Sequence, residues 1–547
     1  MMDFYPNKAQ YRSGEPVQLL FEHDGCYTGC EAELRIYHLN QEITQLTVIV
    51  ETDPCVVTLS PFDTQYSAYG AQLAVTTTDG VVFLTTAFDV TKTPGYPIRY
   101  GFLSDFDEKS RGVDDVETMA KYHINAVQFY DWSWRHDKLV ADTTEYTDMM
   151  GRSVNLSVVK EKISACHQYG MAALGYGAVY AASLPFYQKH PEWGLYSTTR
   201  DPLTFIDIFY IMNIAADCPW REHIITQYTQ AVCKVGFDGI HMDTYGFPKT
   251  ALNFEGKPVR LAEHFVSLIE DTRHALESPG KDIFLIFNNV GNWPVHSVAR
   301  TPQDAIYIEV WEPYSRYAHL RQIILEAKRS CQNQKTVVLA AYLAPFREDT
   351  PERSVNAARL LLAATAANGA TNLLLGEKNA VLTQGYYVDH SILEDAHAVL
   401  LRHYYDFIVR YGELLFDPIL EDVSFTHIGG DNVEYQCIDC SWSPDGQPDT
   451  IWLTIRESID CKTIHMINLH GVDDAWNNGK ANPTPCHDIH FRILVDREPT
   501  SVWTASPDDG GKAIPVSYVF EKSKRGFVVS ITIDTLDCWR MLTVTLV

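Results

Sequence analysis

Gly236-Phe237-Asp238-Gly239-Ile240-His241-Met242-Asp243-Thr244-Tyr245-Gly246 is the stretch on which the reading of this 547-residue chain turns. A short apolar run leads in from Val235. The segment alternates through Ile240 and Met242 and stops on a carboxylate followed by a Tyr-Gly turn. That pattern predicts a buried strand ending at a loop. Where parallel strands close into a barrel, an acid at the carboxyl end of a strand points into the mouth that holds active sites. Asp243 is therefore the first candidate for chemistry. The ordinary alternative is an Asp that caps the next helix or binds loop amides.

Working outward, Asp304-Ala305-Ile306-Tyr307-Ile308-Glu309-Val310-Trp311 repeats the pattern, an apolar strand that ends on a carboxylate beside a Trp. Two such strand ends in one barrel predict a carboxylate pair. Glycoside hydrolysis uses such a pair, one acid as nucleophile or base and one as proton donor.

The segments on either side fit a barrel. After Thr93-Pro94-Gly95-Tyr96-Pro97, a linker by its two prolines, strands alternate with amphipathic segments such as Val154 to Tyr169, Trp220 to Val235 and Ser354 to Ala367. Eight strands are expected, near Ile98–Ser104, Ala126–Tyr130, Ala172–Val179, Gly239–Met242, Ile283–Phe287, Ala305–Ile308, Thr336–Ala341 and Asn372–Leu375. Eight such units predict a (β/α)8 TIM barrel over residues 96–416, its last helix running from about Ser391 to Leu415.

Residues 1–95 read as short alternating strands, for example Pro16–Phe21, Ala32–Tyr37 and Val81–Thr86, and predict an immunoglobulin-like β-sandwich. Residues 417–547 turn strand-rich again, with Thr450–Ile455, Ile464–Leu469 and Met541–Val547, and predict a C-terminal β-sandwich. The expected architecture is thus multidomain, α/β plus all-β.

The barrel strand ends collect one set of polar groups: Asp105 and Asp107 from the first strand, then Gln128, Tyr130, Asp131 and Trp132, with Arg135 and His136 beyond. Tyr176 and Tyr180, Asp243 and Tyr245, Asn288 and Asn289, Glu309, Trp311 and Glu312, Tyr342, and Glu377 follow. Acids and amides bond hydroxyls, and rings stack on the apolar face of a sugar, so the mixture suits a polyhydroxylated ligand. Each residue also has a plainer role open to it: Asp105 as a helix cap, His136 as a loop hydrogen-bonding residue, Asp131 as a strand-end cap.

Composition bounds the partners. A net charge of -26 argues against nucleic acid and against a polyanionic substrate. Hydrophobic residues at 46% and charged residues at 21% describe an ordinary globular chain. No metal or cofactor is called for. Of 12 Cys, only Cys437 and Cys440 form a CxxC, a zinc half-site without a second half. The opening Met1-Met2-Asp3-Phe4-Tyr5-Pro6 has no basic start or apolar core of a signal peptide, and no apolar run is long enough to span a membrane. With free thiols, this favours the cytoplasm.

These residues resemble glycoside hydrolase family 66, the dextranases and cycloisomaltooligosaccharide glucanotransferases, over nearly the whole length. The resemblance rests on Lys8-Ala9-Gln10-Tyr11-Arg12-Ser13-Gly14-Glu15-Pro16-Val17, Arg99-Tyr100-Gly101-Phe102-Leu103-Ser104-Asp105-Phe106 and Gln128-Phe129-Tyr130-Asp131-Trp132-Ser133-Trp134-Arg135-His136. It continues through Phe237–Asp243, Ile308-Glu309-Val310-Trp311 and Leu375-Gly376-Glu377 with Tyr386-Tyr387.

The resemblance implies retaining hydrolysis of α-1,6-glucans, with Asp243 as nucleophile and Glu309 as acid/base. Glu312 is the rival for the second role. Asp105, Tyr130, Asp131, Trp132, His136, Tyr180, Tyr245, Asn288, Trp311, Glu312 and Glu377 would line the substrate site. Cyclising members carry an inserted carbohydrate-binding domain, and no barrel loop here has room for one, which favours simple hydrolysis. The absent signal suggests imported isomaltooligosaccharides, linear or cyclic. Two other classes remain open: a glucan-binding protein on a retired scaffold, and a retaining α-glycosidase of other specificity, such as an α-galactosidase.

Overall fold

Eight parallel strands form the central sheet: Tyr100–Leu103, Ala126–Phe129, Ala172–Ala178, Gly239–Asp243, Phe284–Val290, Ala305–Glu309, Thr336–Ala340 and Ala370–Asn372. Each pairs with the next in chain order, as strands joined by crossover helices do. The structure is a computed structural model and describes residues 2–277 and 282–546.

The two-residue period of a strand sorts its side chains to opposite faces. Tyr100, Phe102, Leu174, Phe284, Ile286, Ala305, Tyr307, Val338, Ala340 and Tyr342 pack together inside the barrel. Their neighbours Ile240, Met242, Leu285, Phe287, Ile306, Ile308, Val337 and Leu339 belong to a second core between strands and helices. Asp243 and Glu309 have the parity of the inner set, as continuations of His241 and Tyr307. The fourth and fifth strands approach so closely that a Cβ on Gly239 would stand 1.6 Å from the Phe284 carbonyl oxygen, so only glycine fits.

The ring joins its last strand to its first at a single parallel bridge, Phe102 to Gly376. The Thr371 hydroxyl donates to the Ile98 carbonyl at 2.8 Å. Both oxygens of buried Glu377 accept from the Ser104 amide at 3.1 Å, and its Oε1 also accepts from the Ser104 hydroxyl at 2.6 Å. The barrel is therefore nearly closed.

Outer helices include Leu156–Gln168, Pro219–Gln230, Leu261–Leu276, Tyr317–Ser330 and Pro351–Ala367. The helix expected over Ser391–Leu415 is two, Asp395–Arg410 and Gly412–Phe416. The first carries Asp406, which accepts from the Thr86 hydroxyl, the Ala87 amide and His123 Nε2, tying the N-terminal sheet to the barrel.

Before the barrel lie two sheets around one core of Val17, Leu19, Leu34, Ile36, Leu73 and Val90. One has three strands, Asp3–Pro6, Val17–Glu22 and Cys55–Leu59. The other has five and is mostly antiparallel. After the barrel come a seven-stranded and a four-stranded sheet, whose shared core includes Leu453, Ile464, Phe491 and Ile531. The Cys437 and Cys440 sulfurs are bonded to each other, so the CxxC is a local disulfide rather than an open half-site.

Most strand bounds shift by a residue or two from expectation, and the fifth and eighth strands end farthest from it. The fifth strand runs on through Asn288 and Asn289 to Val290, since side-chain amides are no barrier where neighbours can satisfy them. The eighth is Ala370–Asn372, two residues earlier than expected. Leu373, Leu374 and Leu375 are buried beyond it, where the Leu373 amide still donates to the Leu339 carbonyl at 2.7 Å before the chain turns to pair Leu375 with Val381.

Candidate active site

Asn288 stands between the two strand-end acids and donates to both. Its Nδ2 lies 2.7 Å from Asp243 Oδ1 and 3.2 Å from Glu309 Oε2. The two acceptor oxygens are therefore no farther apart than the sum of those distances, 5.9 Å. An amide group whose two N–H bonds open at roughly 120° brings them to about 5 Å. The three residues come from the fourth, fifth and sixth strands, and their inward parity turns all three side chains to the barrel mouth.

Each acid also has its own phenol. Tyr176, on the third strand, donates to Asp243 Oδ2 at 2.5 Å. Tyr342, just past the seventh, donates to Glu309 Oε1 at 2.8 Å. The Trp311 indole stands beside Glu309, helps to hold its pKa down, and remains 44% exposed at the rim. Gly385 closes in on the same carboxyl group: a Cβ there would lie 3.3 Å from Glu309 Oε1 and 3.3 Å from the Trp311 ring.

Burial pushes both acids up. Asp243 rises to about 7, by desolvation first and by the charge of Glu309 second, against donors from Tyr176, Asn288 and the Thr244 amide. Glu309 rises by desolvation, against donors from Tyr342, Asn288 and Trp311. Two carboxylates this close titrate as a unit. The shorter Asn288 bond and the 2.5 Å Tyr176 bond favour the negative charge on Asp243 and the proton on Glu309.

A third buried acid stands nearby. Asp131 adopts the left-handed backbone at φ 51°, which Asp tolerates, and its carboxylate lies 3.6 Å from Arg152. Burial pushes it to about 7 against the pull of Arg152, with Asp148 and Asp243 adding to the rise. Arg152 is held in turn by Asp148 at 2.9 Å.

Of the other expected residues, Tyr130 packs on Tyr176 at 5.1 Å and on Tyr387 at 4.4 Å between centroids. Tyr180 and Tyr245 meet edge to face at 4.6 Å, close enough to the acids that Asp243 and Glu309 both bear on Tyr180. The Tyr245 hydroxyl and His136 Nδ1 are buried without a partner in the protein. His136 stands edge-on to Tyr176 at 5.7 Å, and burial holds it down to about 4, so it is neutral.

Two expectations need correction. Trp132 is fully buried against Phe237, its indole N–H given to the Tyr176 carbonyl, so it offers no face to a ligand. Glu377 is consumed in closing the barrel. Glu312 is exposed on the loop beyond Trp311, and the carboxylate that shares Asn288 with Asp243 is that of Glu309. Asp105 is exposed at the rim and touches this network through its backbone, donating to Glu377 at 3.4 Å and accepting from Lys162 at 2.8 Å.

Sequence reasoning did not assign a role to Tyr387, Gly385 or Arg152. They lie on connections after the eighth and second strands, outside any periodic pattern. Among the described residues, no group of three or more His, Cys, Asp or Glu could hold a metal ion.

The profile of Glycosyl hydrolase family 66 matches residues 6–543. A cycloisomaltooligosaccharide glucanotransferase of Niallia circulans is 23% identical over an alignment of 699 residues, covering 98% of this chain and 71% of that protein. A dextranase of Streptococcus salivarius is 21% identical over 508 residues, covering 78% of this chain and 60% of that protein. The crystal structure of a Paenibacillus sp. cycloisomaltooligosaccharide glucanotransferase complexed with cycloisomaltoheptaose superposes with a TM-score of 0.89 at 22% identity, covering 99% of this chain and 100% of that one. It shows that the fold is shared.

Proposed function

The chain belongs to glycoside hydrolase family 66, and from that premise we propose that it is a retaining hydrolase of α-1,6-glucosidic linkages in dextran or in linear and cyclic isomaltooligosaccharides. The single observation that carries the mechanism is the Asn288 amide shared by Asp243 and Glu309. A ceiling of 5.9 Å between Asp243 Oδ1 and Glu309 Oε2, the two oxygens on that amide, lies below the roughly 6.5–9.5 Å between carboxyl groups that inverting enzymes need for an intervening water. It accommodates the about 5–5.5 Å of retaining ones. The names of the relatives, dextranase and cycloisomaltooligosaccharide glucanotransferase, support the substrate class.

In this reading ionised Asp243 attacks the anomeric carbon while Glu309 gives its proton to the departing glycosidic oxygen. A covalent glucosyl ester on Asp243 results. Glu309, now a carboxylate, takes a proton from the incoming water, whose oxygen displaces Asp243 and restores the starting configuration. Tyr130, Asp131, His136, Tyr180, Tyr245 and Trp311 surround the glucosyl unit. Residues 1–95 and 417–547 are read as sandwich domains that frame the barrel and take no part in the chemistry.

An acceptor sugar in place of water would make the same machinery a transglycosylase, the activity named for two relatives. The names of the relatives support both outcomes, hydrolysis and transfer. The test is a product profile on dextran, linear isomaltooligosaccharides and cyclic isomaltooligosaccharides, with proton NMR of the first product formed. Release of α-configured reducing ends is expected. A β-anomer would overturn retention, and dominant larger or cyclic products would establish transfer instead.

A further inference from the structure

Glu309 ends a chain of phenols. Tyr342 donates to Glu309 Oε1 at 2.8 Å, the Tyr387 hydroxyl lies 3.4 Å from that of Tyr342, and the Tyr307 hydroxyl lies 2.9 Å from that of Tyr387. All three tyrosines are buried. Packing alone would be served by phenylalanine, since a buried hydroxyl costs free energy unless it is bonded.

Each phenol has one proton to give, and a carboxylate only accepts. With Glu309 ionised, all three bonds form in one direction only: Tyr307 to Tyr387, Tyr387 to Tyr342, Tyr342 to the carboxylate. With a proton on Oε1 the direction reverses, Glu309 giving to Tyr342 and onward to Tyr307. Turning the chain moves no net proton. Hydrogen bonds in series polarise one another, so the outer phenols add to the hold of Tyr342 on the carboxylate.

We propose that Tyr342, Tyr387 and Tyr307 are positioning residues whose hydroxyl chain stabilises ionised Glu309 and sets the pH at which it passes from acid to base. This rests on the acid/base reading of Glu309 given above. The rings are held for the purpose. Tyr387 stacks on Tyr130 at 4.4 Å and meets Phe102 at 5.4 Å, Tyr307 stands edge-on to His241 at 4.8 Å, and Tyr342 stands edge-on to Trp311 at 5.8 Å. Burial keeps all three phenols protonated.

The titratable groups that bear on Glu309 from its surroundings are Asp243 on the fourth strand, Tyr180 after the third, Tyr342 after the seventh, Tyr387 after the eighth and Tyr307 on its own strand. Asp243 is the one charged neighbour among them, and the phenol chain acts against the rise that burial gives Glu309.

The test is the pH profile of kcat/KM, whose basic limb reports loss of the catalytic proton. Removing a donor raises the carboxyl pKa, so the limb moves to higher pH. Tyr342→Phe, which loses a charge-assisted bond, is expected to move it up by about one unit, and Tyr387→Phe by about half a unit in the same direction. Tyr307→Phe has the same sign, a smaller size, and serves if Tyr387→Phe is unstable. Thermal melts monitor folding. A uniform loss at every pH with the limb unmoved would make the hydroxyls structural and overturn the proposal. Glu309→Gln separates the two readings: its residual activity should lack the basic limb, and a limb that survives there sinks the acid/base assignment itself.

Discussion

The Tyr176 hydroxyl meets Asp243 Oδ2 at 2.5 Å, and the two residues reach that contact from adjacent parallel strands. A donor this close to a buried carboxylate holds the charge that a nucleophile must carry. It also fixes which lone pair is free to attack. Tyr176→Phe should therefore lower kcat/KM about ten- to a hundred-fold, the equivalent of roughly 1.5–3 kcal/mol for a bond to a charged group. The melting temperature should change little, because the ring remains. A wild-type rate would show that Asn288 and the Thr244 amide orient Asp243 unaided.

Azide distinguishes the two acids by stereochemistry. In Asp243→Ala it can occupy the space of the lost carboxylate and should yield a β-glucosyl azide from an α-glucoside. In Glu309→Ala the ester on Asp243 still forms, and azide replaces water to give the α-azide. NMR of the azide adducts is the measurement, and the reverse pattern would exchange the two roles.

Glu309→Gln should depend on the leaving group. With isomaltooligosaccharides, whose departing alkoxide needs a proton, formation of the ester should slow about 10²–10⁴-fold. With an aryl α-glucoside that leaves unaided, burst release of the phenol should persist. Equal loss on both would count against proton donation by Glu309.

Stability should carry a pH signature from the same pair. Asp243 rises in the folded state from the ordinary range near 3.8 to about 7, and Glu309 rises as well. For a raised acid the stability it contributes is fully present below the unfolded pKa and lost as pH rises through the folded one. The loss belongs to the pair, and Asp243→Asn, which leaves one acid where two repelled each other, removes most of it. Its melting temperature relative to wild type should climb between about pH 4 and pH 8, as followed by scanning calorimetry. A difference that is flat across this range would mean Asp243 is ionised throughout at no cost.

Gly385→Ala tests the crowding around Glu309. The added Cβ would sit 3.3 Å from Oε1 and from the Trp311 ring, tight enough to move a carboxyl that Asn288 and Tyr342 hold in place. Activity should fall about ten- to a hundred-fold from a displacement of a fraction of an ångström, with the fold retained. Crystal soaks or melts that show a normal fold together with full activity would show that the carboxyl has slack.

Much of this site was legible in the chain because it obeys a period. Asp243 and Glu309 each follow an apolar run by an even number of residues from an inward-facing neighbour, His241 and Tyr307, and the alternation of a strand carries both into one mouth. Asn288 was read as a strand-end amide for the same reason, although its strand runs on to Val290.

Trp132 and Glu377 were misread because type and position do not reveal direction. A Trp after a strand turns inward when Phe237 offers it a partner, and a Glu at a strand end is consumed when the barrel must be joined at Ser104.

The amino-acid order alone determined the βα alternation, the eight-strand count and the two acids, since each is a local pattern of polarity that a backbone of fixed period converts to geometry. Only the tertiary structure decided that one amide would lie between those acids, and that Tyr387, Gly385 and Arg152 would arrive from connections between strands to surround them. Hydrogen bonds and desolvation depend on distances between residues remote in the chain, and no local pattern encodes those distances.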